Sequence, residues 1–458
     1  MKTIKNNNTL VGKEAMITIK RMGINGEGIG FYKKKIIFVP QAITDEVVIV
    51  EITEEQRNYL RGELIRVKEK SPNRVSFPKG VNPAVGGLEL AHLNYASQLD
   101  FKRDVFRQAL EKYSPQDYTN YDLRPTIGSK QEWHYRTKAQ YQLGFEKGKV
   151  IAGLYQSNSH DLVDLPFMPT QSELSQDTIR KIVKLIEELS IFIFNPRNKK
   201  PGIKTLAVRN SYATKEIQVT FITSQEKIKG LDKLADKVAK LPNVVSVMQN
   251  INDQDTSLIW GRETKLLEGR RTITEKIKDK EFILSPQAFF QLNPPQTEVL
   301  YDHALQALDL NEDDVLVDAY SGVGTLGISA ADKVKRVYGM EIIKDAVKDA
   351  NYNVELNKLD NVSYQTGKAE AILPHMVKRG TFFNSLIVDP PRSGLSQNVL
   401  QAILKVKPQK FVYISCNAST LAKDLITLTR EYKVEFIQSI DMFPQTPKVE
   451  AVVKLVKK

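Results

Sequence analysis

A glycine-rich turn is the first feature of the sequence whose residue types and spacing could bind a ligand. Residues 318–327 read DAYSGVGTLG, with Gly322, Gly324 and Gly327 between an apolar run and a helix-length segment. Glycines at this spacing allow the backbone to approach a ligand at the carboxyl edge of a sheet. Glu341 ends the next apolar run, where it could accept hydrogen bonds from both hydroxyls of a ribose. The pattern predicts NAD, a flavin nucleotide or S-adenosylmethionine equally, although a tight turn without a ligand would use the same glycines.

Three further side chains could act on a substrate at the same edge. The segment IVDPPRSG, residues 387–394, carries Asp389 at the end of an apolar run, and two prolines stiffen the loop. Cys416 follows the run FVYIS just before a predicted helix start, where the helix N-terminus favours the nucleophilic thiolate. Glu450 lies in the segment KVEAVV, where apolar surroundings would raise its pKa and suit it to remove a proton. A connector loop, an inert cysteine and a solvent-facing glutamate are the alternatives.

Alternating apolar runs and helix-length segments predict the fold that would position these residues. From about residue 313 the short runs are VLVDA, RVYGM, NVSYQ, SLIVD and FVYIS. This alternation is typical of a doubly wound, mostly parallel α/β sheet. The last two runs, KVEFIQSI and KVEAVVKLV, have no helix between them and predict a terminal antiparallel pair. Such a pair distinguishes methyltransferase sheets from plain dinucleotide-binding sheets.

Short β-rich runs predict a small barrel in residues 1–70. The runs are MITI, IIFV, EVVIVEI and GELIRV, separated by a glycine-dense turn and by Pro40. Three lysines follow Phe31 and Tyr32, as an OB-like barrel would need to contact phosphates and stacked bases. A solvated hairpin loop would explain these lysines equally well.

Residues 71–280 are predicted to form a mixed α/β central domain. KAQYQLGF and EIQVTFIT have the composition of strands, and residues 178–189 form an amphipathic helix whose apolar side we interpret as core. The boundary at about 280 depends only on the motifs that follow, which begin the predicted C-terminal domain, residues 281–458.

Charge and composition narrow the class of partner. The 458 residues include 66 Lys and Arg against 54 Asp and Glu, a net charge of +12 that suits a polyanion such as nucleic acid, although a basic enzyme without such a partner has the same balance. No segment has the length of a membrane span and the start has no secretory signal, so we expect a cytoplasmic protein with no membrane partner. One cysteine and five scattered histidines predict no metal site.

Six motifs in a fixed order resemble the RNA 5-methyluridine methyltransferases. They are SPQAFFQLNP (285–294), DAYSGVGTLG, GMEI, VDPPRSG, ISCN and PKVEAVVKL. The whole chain resembles the 23S rRNA (uracil-5-)-methyltransferase branch, because the first 70 residues look like its RNA-binding TRAM barrel, while HLNYASQLDFKR and HYRTKAQYQLGF look like its central RNA-binding region. The resemblance implies a Rossmann-like methyltransferase domain at the C-terminus, S-adenosylmethionine as methyl donor and 23S rRNA, naked or in a ribosomal precursor, as substrate. We expect a monomer.

The resemblance also implies residue roles. C5 of uracil is too weakly nucleophilic to take a methyl group directly, so Cys416 would first add to C6 and Glu450 would later remove the C5 proton. Phe289 and Phe290 are candidates for stacking on the target base, although two core aromatic residues would look the same. Contacts to S-adenosylmethionine are implied at Gln291, Tyr320, Thr325, Glu341 and Asp389.

One departure from the family concerns metal. Many relatives bind a four-iron cluster through cysteines near the stretches CGGC and CPIQ, whereas this chain reads VGGL (85–88) and MPTQ (168–171). Val85, Leu88 and Met168 stand where thiolates would be, and a single cysteine cannot supply four ligands. We therefore predict that packing holds this region and that no iron–sulfur cluster binds.

Two other classes of function explain part of the sequence. A nicotinamide or flavin oxidoreductase would use the glycine turn and Glu341 but leaves the barrel and Cys416 unexplained. A non-catalytic RNA-binding or ribosome-assembly factor would explain the first 280 residues but would not need the ISCN and DPPR positions. The methyltransferase hypothesis accounts for all of these features together.

Overall fold

The computed structural model describes residues 9–83, 85–156, 159, 161–195, 199–254, 256 and 258–458. These residues form sheets of six, seven and eight strands and one two-stranded hairpin. No helix among them is long and apolar enough to cross a membrane.

The N-terminal sheet is a barrel, as predicted. Its strands are β1 Glu14–Thr18, β2 Arg21–Met22, β3 Gly28–Tyr32, β4 Lys35–Val39, β5 Val47–Glu55 and β6 Tyr59–Glu69, in the order β1-β5-β6-β4-β3-β2. Alternate residues of β1 are buried, which is the pattern of a strand with one face on a core. The barrel closes where Lys20 N donates to the carbonyl of Ile29 at 2.8 Å. Gly30 permits this approach, since a Cβ there would lie 2.3 Å from Ile17 Cγ2.

The central part of the chain is built around the seven-stranded sheet. Its elements are α1 Tyr95–Tyr113, β7 Asp122–Ile127, β8 Lys138–Glu146, β9 Lys149–Tyr155, β10 Leu162–Asp164, α2 Glu173–Glu188, β11 Ile203–Asn210, β12 Ile217–Thr223, α3 Leu231–Ala239, β13 Val244–Ile251, β14 Glu263–Gly269 and the hairpin β15 Ile273–Ile277 with β16 Lys280–Leu284. The strand order of the sheet is β10-β9-β8-β11-β12-β13-β14. Helices α2 and α3 cover one face, where Ile179, Leu206 and Phe221 share a buried core. By strand alternation the opposite face of β11 carries Thr205 and Arg209.

The C-terminal sheet has the predicted doubly wound arrangement. Its elements are α4 Pro294–Leu308, β17 Val315–Ala319, α5 Thr325–Ala330, β18 Arg336–Glu341, α6 Lys344–Leu356, β19 Val362–Thr366, α7 Ala369–Lys378, β20 Ser385–Val388, α8 Gln397–Val406, β21 Lys410–Ser415, α9 Ala418–Leu428, β22 Tyr432–Ile440 and β23 Glu450–Lys457. The strand order is β19-β18-β17-β20-β21-β23-β22-β7, and β17 to β21 are parallel. The predicted terminal antiparallel pair is confirmed, with β23 inserted between β21 and β22.

Two elements from the predicted central domain pack onto the C-terminal sheet. Strand β7 pairs in parallel with β22, with Asp122 opposite Phe436. Pro125 is tolerated there because β7 is an edge strand. Helix α1 joins the same buried cluster as α9, through residues such as Phe106 and Leu425. The C-terminal sheet therefore uses residues from both sides of the predicted boundary at 280.

Val85, Leu88 and Met168 pack in the core of the central domain. Each is 2% exposed, and all three belong to one apolar cluster with Tyr141 and Ile179. Apolar contacts therefore hold these segments together, in agreement with the interpretation from the sequence.

Candidate active site

The carboxyl edge of the C-terminal sheet opens into one large cavity of about 1210 Å³. This edge holds the turn after β17 and the ends of β18, β20 and β21, which is where ligands bind in doubly wound sheets. Six of the seven predicted site residues line the cavity, namely Gln291, Tyr320, Glu341, Asp389, Cys416 and Glu450.

Strand pairing explains why Cys416 and Glu450 meet. Cys416 directly follows the last residue of β21, and Glu450 is the first residue of β23. Because β23 runs antiparallel to β21, with Ser415 opposite Ala451, its start lies at the edge where β21 ends. The thiol and the carboxylate therefore come to the same cavity from segments far apart in the chain.

Glu341 organises the glycine turn. Its Oε2 accepts a hydrogen bond from Gly322 N at 3.1 Å, and its Oε1 accepts one from Ile343 N at 2.9 Å. Each carboxylate oxygen has further lone pairs, so the side chain can also accept hydrogen bonds from a ligand. Tyr320 N and Ser321 N both donate to the carbonyl of Met340 at 3.0 Å, which ties the turn to β18.

Asp318 supports the turn from beneath and was not among the predicted site residues. It is 2% exposed, and its Oδ2 accepts from Gly327 N at 3.0 Å. Burial raises the pKa of this carboxyl to about 7. Its place as the first letter of the glycine motif was the signal that could have identified it.

Thr325 does not line the cavity. Its hydroxyl lies 2.7 Å from the hydroxyl of Tyr301, and the residue is 9% exposed. The side chain is directed into the packing between α4 and α5, so it supports the turn from behind and is not brought together with the other six residues.

Asp389 and Glu450 form an acidic pair at the cavity, in which Glu450 is buried and Asp389 is half-buried. Burial raises the pKa of Asp389 to about 7, and burial together with the charge of Asp389 raises the pKa of Glu450 to about 8. The side-chain amide of Gln291 lies close enough to Glu450 to lower this pKa, while Glu450 Oε2 has no partner among the described residues. A carboxylate with a raised pKa and a free oxygen is suited to accept a proton.

The environment of Cys416 differs from the sequence expectation. The helix start is present, since Asn417 caps α9 by accepting from Ser419 N at 3.1 Å. However, burial and the charges of Glu450 and Asp389 raise the thiol pKa to about 11, and these outweigh the opposing effect of Arg392. The expected preference for thiolate is therefore wrong for the free protein, in which the thiol is neutral.

The two aromatic residues before Gln291 have different surroundings. Phe290 is 7% exposed and packs against Phe282, with ring centroids 6.4 Å apart. Phe289 is 64% exposed and lines the cavity. Only Phe289 of this pair is free to stack on a ligand.

Five cations from several segments line the cavity, and they were not predicted as a group. They come from the central domain, from α6, from the end of β19 and from the loop after β20, so no motif joins them. They are Arg262, Arg271, Lys348, Lys368 and Arg392. These cations could each contact a phosphate, although carboxylates such as Glu263, Asp345 and Glu370 also line the cavity.

The cavity fits a nucleoside cofactor. The hydroxyls of Tyr320 and Ser321 are buried and have no partner among the described residues. Of the two, only Tyr320 lines the cavity, and with the carboxylate of Glu341 it provides polar groups beside the glycine turn. No group of three or more metal-ligating side chains occurs in the described part of the chain.

Comparisons with known proteins agree with this geometry. Residues 94–458 match the family described as tRNA (Uracil-5-)-methyltransferase, and residues 8–65 match the TRAM domain. The chain is 55% identical over 444 residues to an uncharacterized RNA methyltransferase of Lactobacillus johnsonii, which covers 97% of both chains. It is 50% identical over 449 residues to an uncharacterized RNA methyltransferase of Lactiplantibacillus plantarum, covering 98% of this chain and 93% of that one.

A solved structure matches almost the whole chain. It is the Pyrococcus abyssi tRNA (uracil-54, C5)-methyltransferase in complex with S-adenosyl-L-homocysteine, with a TM-score of 0.76 and 26% identity. The match covers 96% of this chain and 100% of that one. Together with the glycine turn, the cavity and the family match, this likeness leads to one conclusion: the chain belongs to the tRNA (uracil-5-)-methyltransferase family, as an S-adenosylmethionine-dependent RNA methyltransferase with an N-terminal TRAM domain.

Proposed function

We propose that the chain methylates C5 of a uridine in 23S rRNA through a covalent adduct between Cys416 and C6 of the base. The observation that carries this proposal is the meeting of Cys416 and Glu450 at the cavity beside the glycine turn. A thiol and a proton acceptor at one cofactor cavity are the two groups that this chemistry needs.

Cys416 acts first. Its sulfur adds to C6, and the ring becomes an enolate whose C5 is nucleophilic. The thiol must lose its proton for this step, because its pKa is about 11 in the free protein. Asp389, with a pKa of about 7, is the proposed acceptor of the thiol proton, so that the carboxylate of Glu450, with a pKa of about 8, remains available for the later step.

Glu450 completes the reaction. After C5 has gained the methyl group it still carries its original proton, which Glu450 removes so that Cys416 can be eliminated and the ring restored. The side-chain amide of Gln291 lies beside Glu450 and lowers its pKa. Glu450 Oε2 has no partner among the described residues and is proposed to accept this proton. The proton taken from the thiol returns to the departing sulfur of Cys416, and the C5 proton passes from Glu450 to solvent, so that both groups are restored.

The cofactor would be held by the turn and the neighbouring strand ends. S-adenosylmethionine supplies an electrophilic methyl group. Glu341 is proposed to accept hydrogen bonds from the ribose, and Tyr320, Gln291 and Asp389, which line the same cavity, are proposed as further contacts. Thr325 is not proposed as a direct contact, because its hydroxyl forms a hydrogen bond with the hydroxyl of Tyr301 behind the turn.

The target uridine must leave its stack to reach Cys416. Phe289 is proposed to stack on the extruded base, since its ring is exposed in the cavity. The cations around the cavity and the TRAM barrel are proposed to hold the flanking RNA.

A tRNA is the second candidate substrate, and one observation favours it. The Pyrococcus protein is named for uridine 54 of tRNA, and it covers 96% of this chain. Most of the barrel must therefore have a counterpart in that structure, so the barrel alone does not separate the two substrates. The 23S proposal rests on the resemblance of the whole chain to the rRNA branch.

The test uses unmodified 23S rRNA and tRNA transcripts, labelled S-adenosylmethionine and nucleoside mass spectrometry. Wild-type protein should form 5-methyluridine on 23S rRNA, and Cys416→Ala should lower the rate by at least about a thousandfold. Ser419→Ala, at the start of α9, is the matched control and should retain activity. If 5-methyluridine forms on tRNA alone, tRNA and not 23S rRNA is the substrate, and the proposed chemistry still stands. Full activity of Cys416→Ala would overturn the mechanism.

A further inference from the structure

The loop between β16 and α4 is fixed by a residue of the central sheet. Arg209, near the end of β11, is 6% exposed. Its Nη1 donates to the carbonyl of Ser285 at 3.2 Å, and its Nη2 donates to the carbonyl of Ala288 at 2.5 Å. One planar guanidinium thus spans the first turn of the loop, residues 285–292.

Further contacts dock the rest of the loop on the same sheet. Thr137 N donates to the carbonyl of Leu292 at 2.9 Å. Gln287 Nε2 donates to Thr264 Oγ1 at 3.0 Å. Each half of the loop therefore depends on the central sheet for its position.

The start of the loop is also held from the C-terminal domain. Asp349 Oδ2, on α6, accepts from Ser285 N at 3.2 Å and from Ser285 Oγ at 2.6 Å. Burial lowers the pKa of Arg209 only to about 10, so the guanidinium stays charged at neutral pH. Ser285 is consequently held between a cation of one domain and a carboxylate of the other.

We propose that Arg209 is a positioning residue of the methyltransferase site. Phe289 and Gln291, which this loop carries, face the cavity, whereas Arg209 is not among the residues that line it. Arg209 therefore acts through the loop, setting where Phe289 meets the base and where Gln291 lies beside Glu450. This inference rests on the proposed function, which gives those two side chains their roles.

Lysine cannot replace arginine in this arrangement. An ammonium group is a point donor, whereas the guanidinium presents donors in a rigid plane that reaches two carbonyls at once. Arg209→Lys therefore keeps the positive charge but cannot donate to the carbonyls of Ser285 and Ala288 at the same time.

The experiment compares Arg209→Lys and Arg209→Met with Arg180→Lys in the full chain. Arg180, on α2, is the matched control, because it donates to the carbonyls of Ala152 and Leu165 in the same central domain without touching the loop. Uridine methylation is measured as kcat and as KM for RNA. Hydrogen–deuterium exchange of residues 285–292 and the thermal midpoint are measured in parallel.

Both Arg209 variants should exchange faster in residues 285–292, and kcat should fall about 10- to 100-fold, as expected when catalytic groups are misplaced by about 1 Å. KM for RNA should change by less than about threefold, since the residue does not touch RNA. Arg180→Lys should leave kcat and the exchange of this loop unchanged.

Several results would overturn the inference while the proposed function stands. These are wild-type kcat in Arg209→Lys, unchanged exchange of the loop, or an equal loss in Arg180→Lys, which would indicate general destabilisation. If Arg209→Met does not fold, Arg209→Lys alone decides. If the wild-type protein makes no 5-methyluridine at all, the proposed function fails. In that case the exchange of residues 285–292 still tests whether Arg209 holds the loop.

Discussion

The two loops that carry the cavity's side chains are stabilised in contrasting ways. The glycine turn is held by neighbours in sequence: Glu341 bonds Gly322 across 19 positions, and Asp318 bonds Gly327 across 9. The loop 285–292 is held from much farther away, with Arg209 acting across 76 and 79 positions. The cofactor side of the cavity is thus built within the C-terminal domain, whereas the side that carries Phe289 is placed by the central sheet.

This difference predicts that cofactor binding and the alignment of the side chains around the base can be changed separately. Damage to the glycine turn should weaken cofactor binding, because Glu341, which holds the turn, also lines the cavity. Damage to the loop's distant supports should leave the cofactor bound and slow the reaction, since only the side chains around the base move. Three substitutions examine the cofactor side of this comparison.

The largest effect is expected for Glu341→Ala. It removes the carboxylate that accepts hydrogen bonds from Gly322 N and Ile343 N and that we propose to bind the ribose. Binding of S-adenosylhomocysteine, measured by calorimetry, should weaken about 100-fold, because hydrogen bonds to a charged group contribute about 1.5–3 kcal/mol each. RNA affinity should change little.

The control for this substitution is Glu355→Ala, an exposed carboxylate on α6. It should bind S-adenosylhomocysteine as the wild type does. Wild-type affinity in Glu341→Ala would contradict the assignment of the glycine turn to the cofactor.

A pair of hydroxyl deletions gives a smaller and sharper contrast. Tyr320→Phe removes a hydroxyl without a partner among the described residues, so S-adenosylhomocysteine binding should weaken about 5- to 10-fold with little change in the free energy of unfolding. Thr325→Val removes the partner of Tyr301 and should lower the free energy of unfolding by about 1 kcal/mol while preserving binding. The reverse outcome would mean that Thr325, not Tyr320, contacts the cofactor.

The smallest effect concerns pH and the acidic pair. Because the pKa of Glu450 is raised to about 8 in the folded protein, its contribution to stability is present below pH 4.5 and lost as pH rises toward 8. Glu450→Gln removes this loss, so its free energy of unfolding relative to wild type should increase between pH 5.5 and pH 9, by at least about 1 kcal/mol. Arg209→Met should give no such trend over this range, since Arg209 stays charged. Urea denaturation at both pH values measures the differences, and a flat difference for Glu450→Gln would contradict the burial of an ionisable pair.

Much of the C-terminal fold could be predicted from the sequence because its signals are local. Each parallel strand is a short apolar run next to a helix-length segment. The absence of a helix-length segment between the last two runs indicated that β22 and β23 form an antiparallel pair. Cys416, Asp389 and Glu341 each follow or end such a run, so the shared edge of the sheet brings them together. Glu450 joins them through the register of β23 against β21.

The features that were missed depend on contacts between distant segments. Strand β7, with the sequence DLRPTI, has neither alternation nor an apolar run, and its pairing with β22 depends on tertiary packing. The sequence around Arg209 does not distinguish it from other strand residues, because its contacts are with the distant loop 285–292. The thiol pKa of Cys416 was misjudged because the helix start is visible in the sequence, whereas the burial and the two carboxylates that oppose it are not.

The covalent mechanism is the central claim, and trapping its intermediate tests it most directly. Glu450→Gln is incubated with substrate RNA and S-adenosylmethionine, and the products are separated under denaturing conditions and analysed by mass spectrometry. The covalent mechanism predicts that Glu450→Gln forms an RNA–protein adduct that carries the methyl group and is attached through Cys416. The double variant Cys416→Ala/Glu450→Gln should form no adduct. An absence of adduct in Glu450→Gln while wild type forms 5-methyluridine, or an adduct that persists in the double variant, would contradict it.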